Sequence, residues 1–510
     1  MTSLHLACLL ATVSCAAPRV ALGEVEATEL ENVRMAVGYA ALQDSRGAWK
    51  VTGSCAELGL EGTYELVFDR NGSFHHSIQT PLGEALGFDG ETVWTADETG
   101  LARVVSLGGR NAALGRMALE TFRWLTPGAF HIEVDHDSGN ESSVAYALFA
   151  DEDKGELLAT VLVSRATWLP IELHVPKTSG VQRYLLLDWR EAHGLHYPHR
   201  IEIPRRNRSS SEFVVQSITL ADGAAFTMPA AAPGDTQFAK KASQLRTRLT
   251  PAGHTLVQAR LGARAPGWFL LDSGAGAMLI DRGIADGLGL ERRGEILVVG
   301  VGGSLPAAFR TGAPLHAGAV TIEGLNYIEL DLAFLEAICG VPVEGVIGYD
   351  LFARTVVVME RSKRVELHDP ASFELTEAAW TPFVFEDETP CVEASFPKKN
   401  TAWFKLDTGS DDTVAFHGPA TRRYGLLRSG TSRAATQEGV GGSLEGRRGT
   451  LDWFRLGEER FTRPPVTFHL AESGAFGSTT TAGNIGSGML GAFRVIFDYP
   501  RRRVAFQQGP

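Results

Sequence analysis

Two aspartates stand out in this 510-residue chain because of what surrounds them. Leu271-Asp272-Ser273-Gly274-Ala275 and Leu406-Asp407-Thr408-Gly409-Ser410 each end an apolar run on a carboxylate, a small hydroxyl residue and a glycine. The run predicts a buried strand, and glycine permits a tight turn after it. The hydroxyl of Ser273 or Thr408 can reach across to a second such turn and hold it rigid. Two carboxylates held face to face cannot both ionise readily, so they share a proton and titrate as a pair. The ionised member can take a proton from water while the protonated member donates to a carbonyl oxygen under attack, which is general acid–base hydrolysis. That chemistry needs neither metal nor cofactor, and the chain contains no HExxH, CxxC or GxSxG pattern. A single Asp-Ser/Thr-Gly turn would be an ordinary Asx turn between strands.

A repeat makes the pair more than two turns. Trp268-Phe269-Leu270-Leu271-Asp272 corresponds to Trp403-Phe404-Lys405-Leu406-Asp407, and Gly300-Val301-Gly302-Gly303-Ser304-Leu305 to Gly439-Val440-Gly441-Gly442-Ser443-Leu444. Val346-Ile347-Gly348 likewise corresponds to Asn484-Ile485-Gly486. The aspartates are 135 positions apart (407 − 272) and the glycine pairs 139 (441 − 302), so three elements recur in order at a near-constant offset. Each copy reads as strands around the Asp turn, a short helix (284–288 and 420–426), a Gly-rich hairpin, further strands and a closing hairpin. Gly300 to Gly303 also suggests a phosphate loop, but it lacks the third glycine, runs into Pro306 and is copied in the other half.

On these residues the C-terminal half resembles the pepsin/retropepsin-like aspartic peptidases, particularly bacterial proteins with two retropepsin-like lobes in one chain. The resemblance covers about 248–506 and implies a bilobal pepsin-like double β-barrel hydrolysing polypeptides, with Asp272 and Asp407 catalytic and Ser273, Gly274, Thr408 and Gly409 supporting them. It implies flaps over the substrate, for which Gly302, Gly303, Gly441 and Gly442 are the candidates. Neither flap segment has the tyrosine of pepsin-like enzymes. With both lobes in one chain, a monomer is expected.

From Glu24 to Met228 short runs alternate apolar and polar residues between Gly, Asn and Asp, as in Thr63 to Phe68 and Leu157 to Val163. That period predicts an antiparallel β domain interrupted by a helix at 113–125. Gly87-Phe88-Asp89-Gly90-Glu91-Thr92-Val93-Trp94, Thr167-Trp168-Leu169-Pro170 and Leu195-His196-Tyr197-Pro198 resemble the outer-membrane lipoprotein carrier family. The resemblance implies a curved sheet around a helix and an apolar cavity for lipid or lipoprotein. The fold expected is therefore mainly β: a leader at 1–23, the β domain at 24–228, a Pro- and Ala-rich linker at 229–247, and lobes at 248–370 and 371–510.

The apolar run from Leu4 to Ala17, followed by Ala21-Leu22-Gly23, suits a signal peptide and an exported, periplasmic or secreted protein, with Cys15 a weak lipoprotein-anchor position. No later segment is apolar enough to span a bilayer. The formal net charge of −12 argues against a nucleic-acid binder. Arg205-Arg206-Asn207-Arg208 and Arg501-Arg502-Arg503 read as solvated turns, and the 14 histidines show no metal-ligand spacing. A Cys339–Cys391 bridge is open to the mature chain. Asn71, Asn140 and Asn207 begin glycosylation sequons that matter only in a eukaryotic secretory pathway. The rival reading is a non-catalytic periplasmic lipid- or protein-binding protein on a pepsin-like scaffold, which would not need both Asp-Ser/Thr-Gly turns.

Overall fold

A computed structural model describes residues 7–8, 22–23, 27–150, 156–177, 180–205, 210–229, 234–301, 303–360, 364–375, 379–429, 432–439 and 442–508. Most of the leader with Cys15, the Asn207 sequon, Gly302 and Gly441 lie outside the described residues. The chain is mainly β and forms two compact units, one of Leu10–Pro233 and one of Gly234–Pro510 together with Met1–Leu9. No helix among the described residues is long and apolar enough to cross a membrane.

The N-terminal unit is a 14-stranded sheet, antiparallel throughout. Its strands Ala48–Glu57 and Ser211–Ala221 pair mid-sheet, so the sequence-distant ends of the unit close on each other. Alternation does what it predicts: in Leu60–Phe68 the side chains of Tyr64, Leu66 and Phe68 turn inward. Three helices depart from the sequence reading. Residues expected to be β from Glu24 form α1 (Ala27–Val37) and α2 (Tyr39–Asp44). Val33 and Val37, one turn apart, are fully buried in the unit's core, a helical spacing that a search for alternation overlooks. The helix expected at 113–125 is α3 (Leu107–Glu120), ending before Phe122 at φ 55°, with Arg123–Leu125 a separate 3-10 turn. Gly108 and Gly109 in its first turn mask the start signal. Arg205, expected on a solvated turn, has a buried side chain 3.9 Å from Glu57.

The C-terminal unit repeats one arrangement around each aspartate. In the first half β1 (Gly267–Leu271) pairs in parallel with β3 (Gly345–Ile347), and β2 (Met278–Asp281) pairs antiparallel with the same strand. In the second half β4 (Asn400–Asp407), β5 (Val414–Phe416) and β6 (Gly483–Gly486) do the same. Register matches Leu270 to Val346 and, in the other half, Lys405 to Asn484. The expected short helices occur at Arg282–Gly287 and Gly418–Arg423, the second followed by a 3-10 turn at Leu426–Ser429.

A third, six-stranded sheet joins the halves, in the order Ala242–Leu245, Arg364–His368, Val356–Glu360, Phe493–Asp498, Arg503–Gln508, Trp380–Pro382. Three strands come from each side, and Val356, Val358, Ile496 and Ala505 form their shared core. The stretch 229–247, read as a linker, therefore contributes structure: Ala242–Leu245 lies in this sheet and Thr236–Phe238 pairs with Val320–Ile322. Small and Pro-rich composition marked the start of that stretch, whereas pairing with a strand over a hundred residues away carries no local signal. Arg501 and Arg502 are exposed on a turn as expected, while Arg501 and the half-buried Arg503 also donate to the buried carboxylate of Asp498, and Arg503 lies 4.0 Å over the Trp380 ring. The Cys339–Cys391 bridge is not formed: both are buried free thiols, one ending the helix Ala333–Cys339 and the other within the strand Thr389–Phe396.

Candidate active site

β1 and β4 end where the two halves meet, and their terminal residues interlock. Ser273 N donates to Thr408 Oγ1 (2.9 Å), and Thr408 N donates to Ser273 Oγ (3.1 Å). Each hydroxyl then donates to the opposite strand, Ser273 Oγ to the Leu406 carbonyl (2.9 Å) and Thr408 Oγ1 to the Leu271 carbonyl (3.0 Å). Four buried bonds thus cross between residues 133 to 137 positions apart in the chain. Leaving one such buried group unmatched costs about 1–3 kcal/mol, so the network fixes the two turns against each other. Tyr499, on the 3-10 turn between two strands of the joining sheet, donates its hydroxyl to the Ser273 carbonyl (3.4 Å).

This brings Asp272 and Asp407 together, both with 0% exposure. Asp272 Oδ1 accepts from Gly274 N (2.7 Å) and, across the halves, from Gly409 N (3.1 Å). Asp407 Oδ2 accepts from Asn484 Nδ2 (3.0 Å). The glycines are required for space. A Cβ on Gly409 would stand 2.3 Å from Asp272 Cγ, and one on Gly274 2.6 Å from Asp407 Oδ1. Neither has a positive φ, so close approach explains them. The Ile-Gly strands serve the same end one layer back. Tyr349 N donates to the Ala275 carbonyl (2.9 Å) and Ser487 N to the Ser410 carbonyl (2.7 Å). A Cβ on Gly348 or Gly486 would collide with the Ala275 or Asp412 carbonyl, at 2.5 and 2.3 Å.

Burial raises the affinity of both carboxyls for protons above the usual carboxylate range. The amides of Gly274 and Gly409 work against this at Asp272. At Asp407 the charge of Asp272 adds to burial and pushes its pKa well up. The pair therefore holds a proton into a pH range where isolated carboxylates have lost theirs, and Asp272 is the member better furnished to be ionised.

The Gly-rich segments are hairpin ends. Glu291–Val299 pairs with Ser304–Thr311, closed by Gly300 N donating to the Gly303 carbonyl (2.8 Å), with Gly303 at φ 149°. Arg433–Gly439 pairs with Gly442–Thr450, with Gly442 at φ 120°. Of the flap candidates Gly303 and Gly442 are thus in the hairpins, while Gly302 and Gly441 lie outside the described residues. From the second hairpin Gln437 Nε2 donates to Asp412, five residues beyond Asp407, and Thr467 Oγ1 donates to the other oxygen of that carboxyl (2.7 Å).

Four residues at the site went unnoticed in the sequence: Asn484, His417, Lys405 and Tyr499. Asn484 and Lys405 stand where the repeat departs from itself, against Val346 and Leu270, and that departure inside matched apolar strands is the signal that marks them. His417 was counted among scattered histidines, yet its Nε2 lies 3.0 Å from Asn484 Oδ1.

Residues 257–351, which include Asp272 and its Ile-Gly strand, match the model of a family described as aspartyl protease. No curated protein matches the chain. The match supports a retropepsin-like aspartic peptidase domain in the C-terminal part, protease activity in general and a polypeptide as its substrate.

Proposed function

We propose that the chain is an exported aspartic endopeptidase in which Asp272 and Asp407 act as one dyad on a water molecule. The observation that carries the reading is the reciprocal Ser273–Thr408 network holding two fully buried carboxyls on facing turns. An arrangement this costly to bury is a feature of chemistry rather than of scaffolding. Asp272, with two backbone amides on Oδ1, takes a proton from water as the oxygen attacks the peptide carbonyl carbon. Asp407 gives its proton to the carbonyl oxygen, so the tetrahedral intermediate is a neutral diol. As the diol collapses, Asp272 passes its proton to the leaving nitrogen, Asp407 takes one from a diol hydroxyl, the C–N bond breaks, and the dyad again holds one proton. Export rests on the apolar run from Leu4 to Ala17.

The test is hydrolysis of an unfolded protein substrate across pH by wild type and Asp272→Asn, with and without pepstatin. A bell-shaped profile in the wild type and a loss of at least about 10³-fold in the variant are expected, since both halves of the acid–base exchange fail together. Equal rates in wild type and variant would assign the cleavage to other residues. No cleavage at any pH by a correctly folded wild type would favour the non-catalytic binding protein.

A further inference from the structure

In the second half a row of polar side chains crosses four neighbouring strands. Register sets Thr401 on β4 opposite Ser395 on Thr389–Phe396, Ser395 opposite Arg455 on Trp453–Leu456, and Arg455 opposite Arg460 on Glu459–Thr462. Directly opposed residues of antiparallel strands share a face, so the four project to one side. It is the solvent side, because the alternate positions Ala394, Phe454 and Leu456 are buried. Together with Trp453, two residues before Arg455, the row lines a cleft of about 270 Å³, and Lys399 and Asn400 at the turn into β4 add to its wall. Lys398 and Lys399 both have positive φ (67° and 60°), in a two-residue turn that favours asparagine and glycine, so lysine is set there at a conformational cost.

Lys399, Arg455 and Arg460 bring three positive charges to a lining that contains no acid. The acids on these strands outside the dyad are Glu393 and Glu459, and Glu459 accepts from Gln508 Nε2 (2.8 Å). Exposed arginines elsewhere meet carboxylates, as Arg183 meets Glu172 and Arg364 meets Glu366, in a chain whose formal net charge is −12. Among the described residues the three cations of the cleft form no ion pair. Like charges directly opposite each other destabilise a strand pair unless an anion lies between them. Arg460 lies 4.8 Å over the Trp453 ring, and Arg455 Nη2 donates to Ser395 Oγ (3.3 Å), itself 3.1 Å from Thr401 Oγ1. Ring and hydroxyl thus hold the two guanidinium groups at the cleft while most of their donors stay uncommitted among the described bonds. Arg460 alone would be the charge that guards an edge, since Glu459–Thr462 ends the sheet. Arg455, one strand further in, and Lys399, on a hairpin beyond it, guard none.

We propose that this cleft is a binding site for a phosphoryl group. Three cations exceed what one carboxylate balances, whereas a phosphoryl group near its full charge matches them more closely. Neighbouring guanidinium groups offer the parallel N–H donors that phosphate oxygens accept. The size suits a free phosphate ion or a small phosphomonoester. Thr401 stands six positions before Asp407 (407 − 401), about 20 Å away along β4, so the site is separate from the dyad and does not depend on that reading.

The experiment is calorimetric titration of the full chain at pH 8 with inorganic phosphate, glucose 6-phosphate, glucose and acetate. It compares wild type, Arg455→Gln, Arg460→Gln and Lys398→Gln, the last removing a charge beside the cleft rather than in it. Saturable binding of phosphate or glucose 6-phosphate at one site per chain is expected, at least about tenfold tighter than acetate, with none for glucose. Each arginine variant should weaken it at least about tenfold, and Lys398→Gln by less than about twofold because an exposed neighbouring charge is screened. Tighter binding of glucose 6-phosphate identifies a phosphomonoester as the ligand, and tighter binding of phosphate the free ion. No saturable binding by wild type overturns the inference, as do equal affinity for acetate and arginine variants that bind as wild type does. A loss in Lys398→Gln as large as in the arginine variants reduces the cleft to diffuse surface charge and overturns it too. Thermal melting without ligand checks each fold, and either arginine variant decides the matter if the other does not fold.

Discussion

The two halves of the C-terminal unit share a backbone and differ in what lies behind their aspartates. β1, β2 and β3 pair as β4, β5 and β6 do, the Ile-Gly strands support both turns alike, and Ser273 and Thr408 exchange matching bonds. The first half nevertheless backs Asp272 with aliphatic side chains, while the second surrounds Asp407 with Lys405, Asn484 and His417. Its ion pairs are placed elsewhere: Glu329, 1% exposed, is held by Arg310 (2.6 Å) and Arg292 (2.8 Å) in the sheet outside the turn. Duplication thus sets geometry, because strand pairing and close packing demand the same residues twice. Divergence sets electrostatics, because a buried position tolerates a polar side chain only where partners satisfy it. The outcome is two carboxyls in one frame that are chemically unequal.

The comparison can be broken most sharply at the glycines. Gly409→Ala would place a methyl carbon 2.3 Å from both Cγ and Oδ2 of Asp272, whereas Gly274→Ala meets Asp407 Oδ1 at 2.6 Å and Cγ at 2.7 Å. Both are expected to reduce hydrolysis at least about 100-fold and to cost about 1–3 kcal/mol of stability through overpacking. Gly409→Ala should be the worse of the two. Urea denaturation together with activity checks this, and a milder Gly409→Ala would mean that the halves adjust to crowding in the reverse order.

Where the halves are alike, their variants should be alike. Ser273→Ala and Thr408→Ala each remove one cross-half donor and leave one backbone amide without its acceptor, so each is expected to cost about 1–3 kcal/mol. The double variant should cost less than the sum of the two, since the bonds form one network. Strict additivity in a double-mutant cycle would show that the four bonds act independently.

The smallest effect concerns stability and pH. Asp407 has its folded proton affinity raised above the unfolded value near 3.9, so the folded state binds more protons between the two. Stability is accordingly greatest below that unfolded value and declines as pH rises through the folded one. Asp407→Asn removes this decline. It should melt higher than wild type at pH 7, by about 2 °C for ~1 kcal/mol in a unit of this size, and not at pH 3.5. Parallel melting curves across pH would show that the buried pair costs the folded state nothing. The gain in stability would accompany the loss of hydrolysis, as expected where a site is built at the expense of folding.

Much of this was legible along the chain because repetition and period are local properties of a sequence. Asp272-Ser273-Gly274 and Asp407-Thr408-Gly409, their Ile-Gly partners and the Gly-rich hairpins recur at a fixed offset, and strand alternation marks the β character of both units. Small, Pro-rich composition suggested a linker at 229–247, and the N-terminal unit ends inside that stretch, at Pro233. Other features depended on which residues meet. Nothing near Ala242 announces a strand, since its partner His368 lies on the far side of a lobe. Nothing near His417 announces a site, since its neighbour Asn484 is 67 positions away. Two carboxylates, the hydroxyls that brace them and the glycines that let them approach were determined by the sequence itself. The order in which those carboxylates hold a proton was decided only by the tertiary structure, because burial and the amide, imidazole and ammonium groups around each one arise from contacts that chain order does not contain.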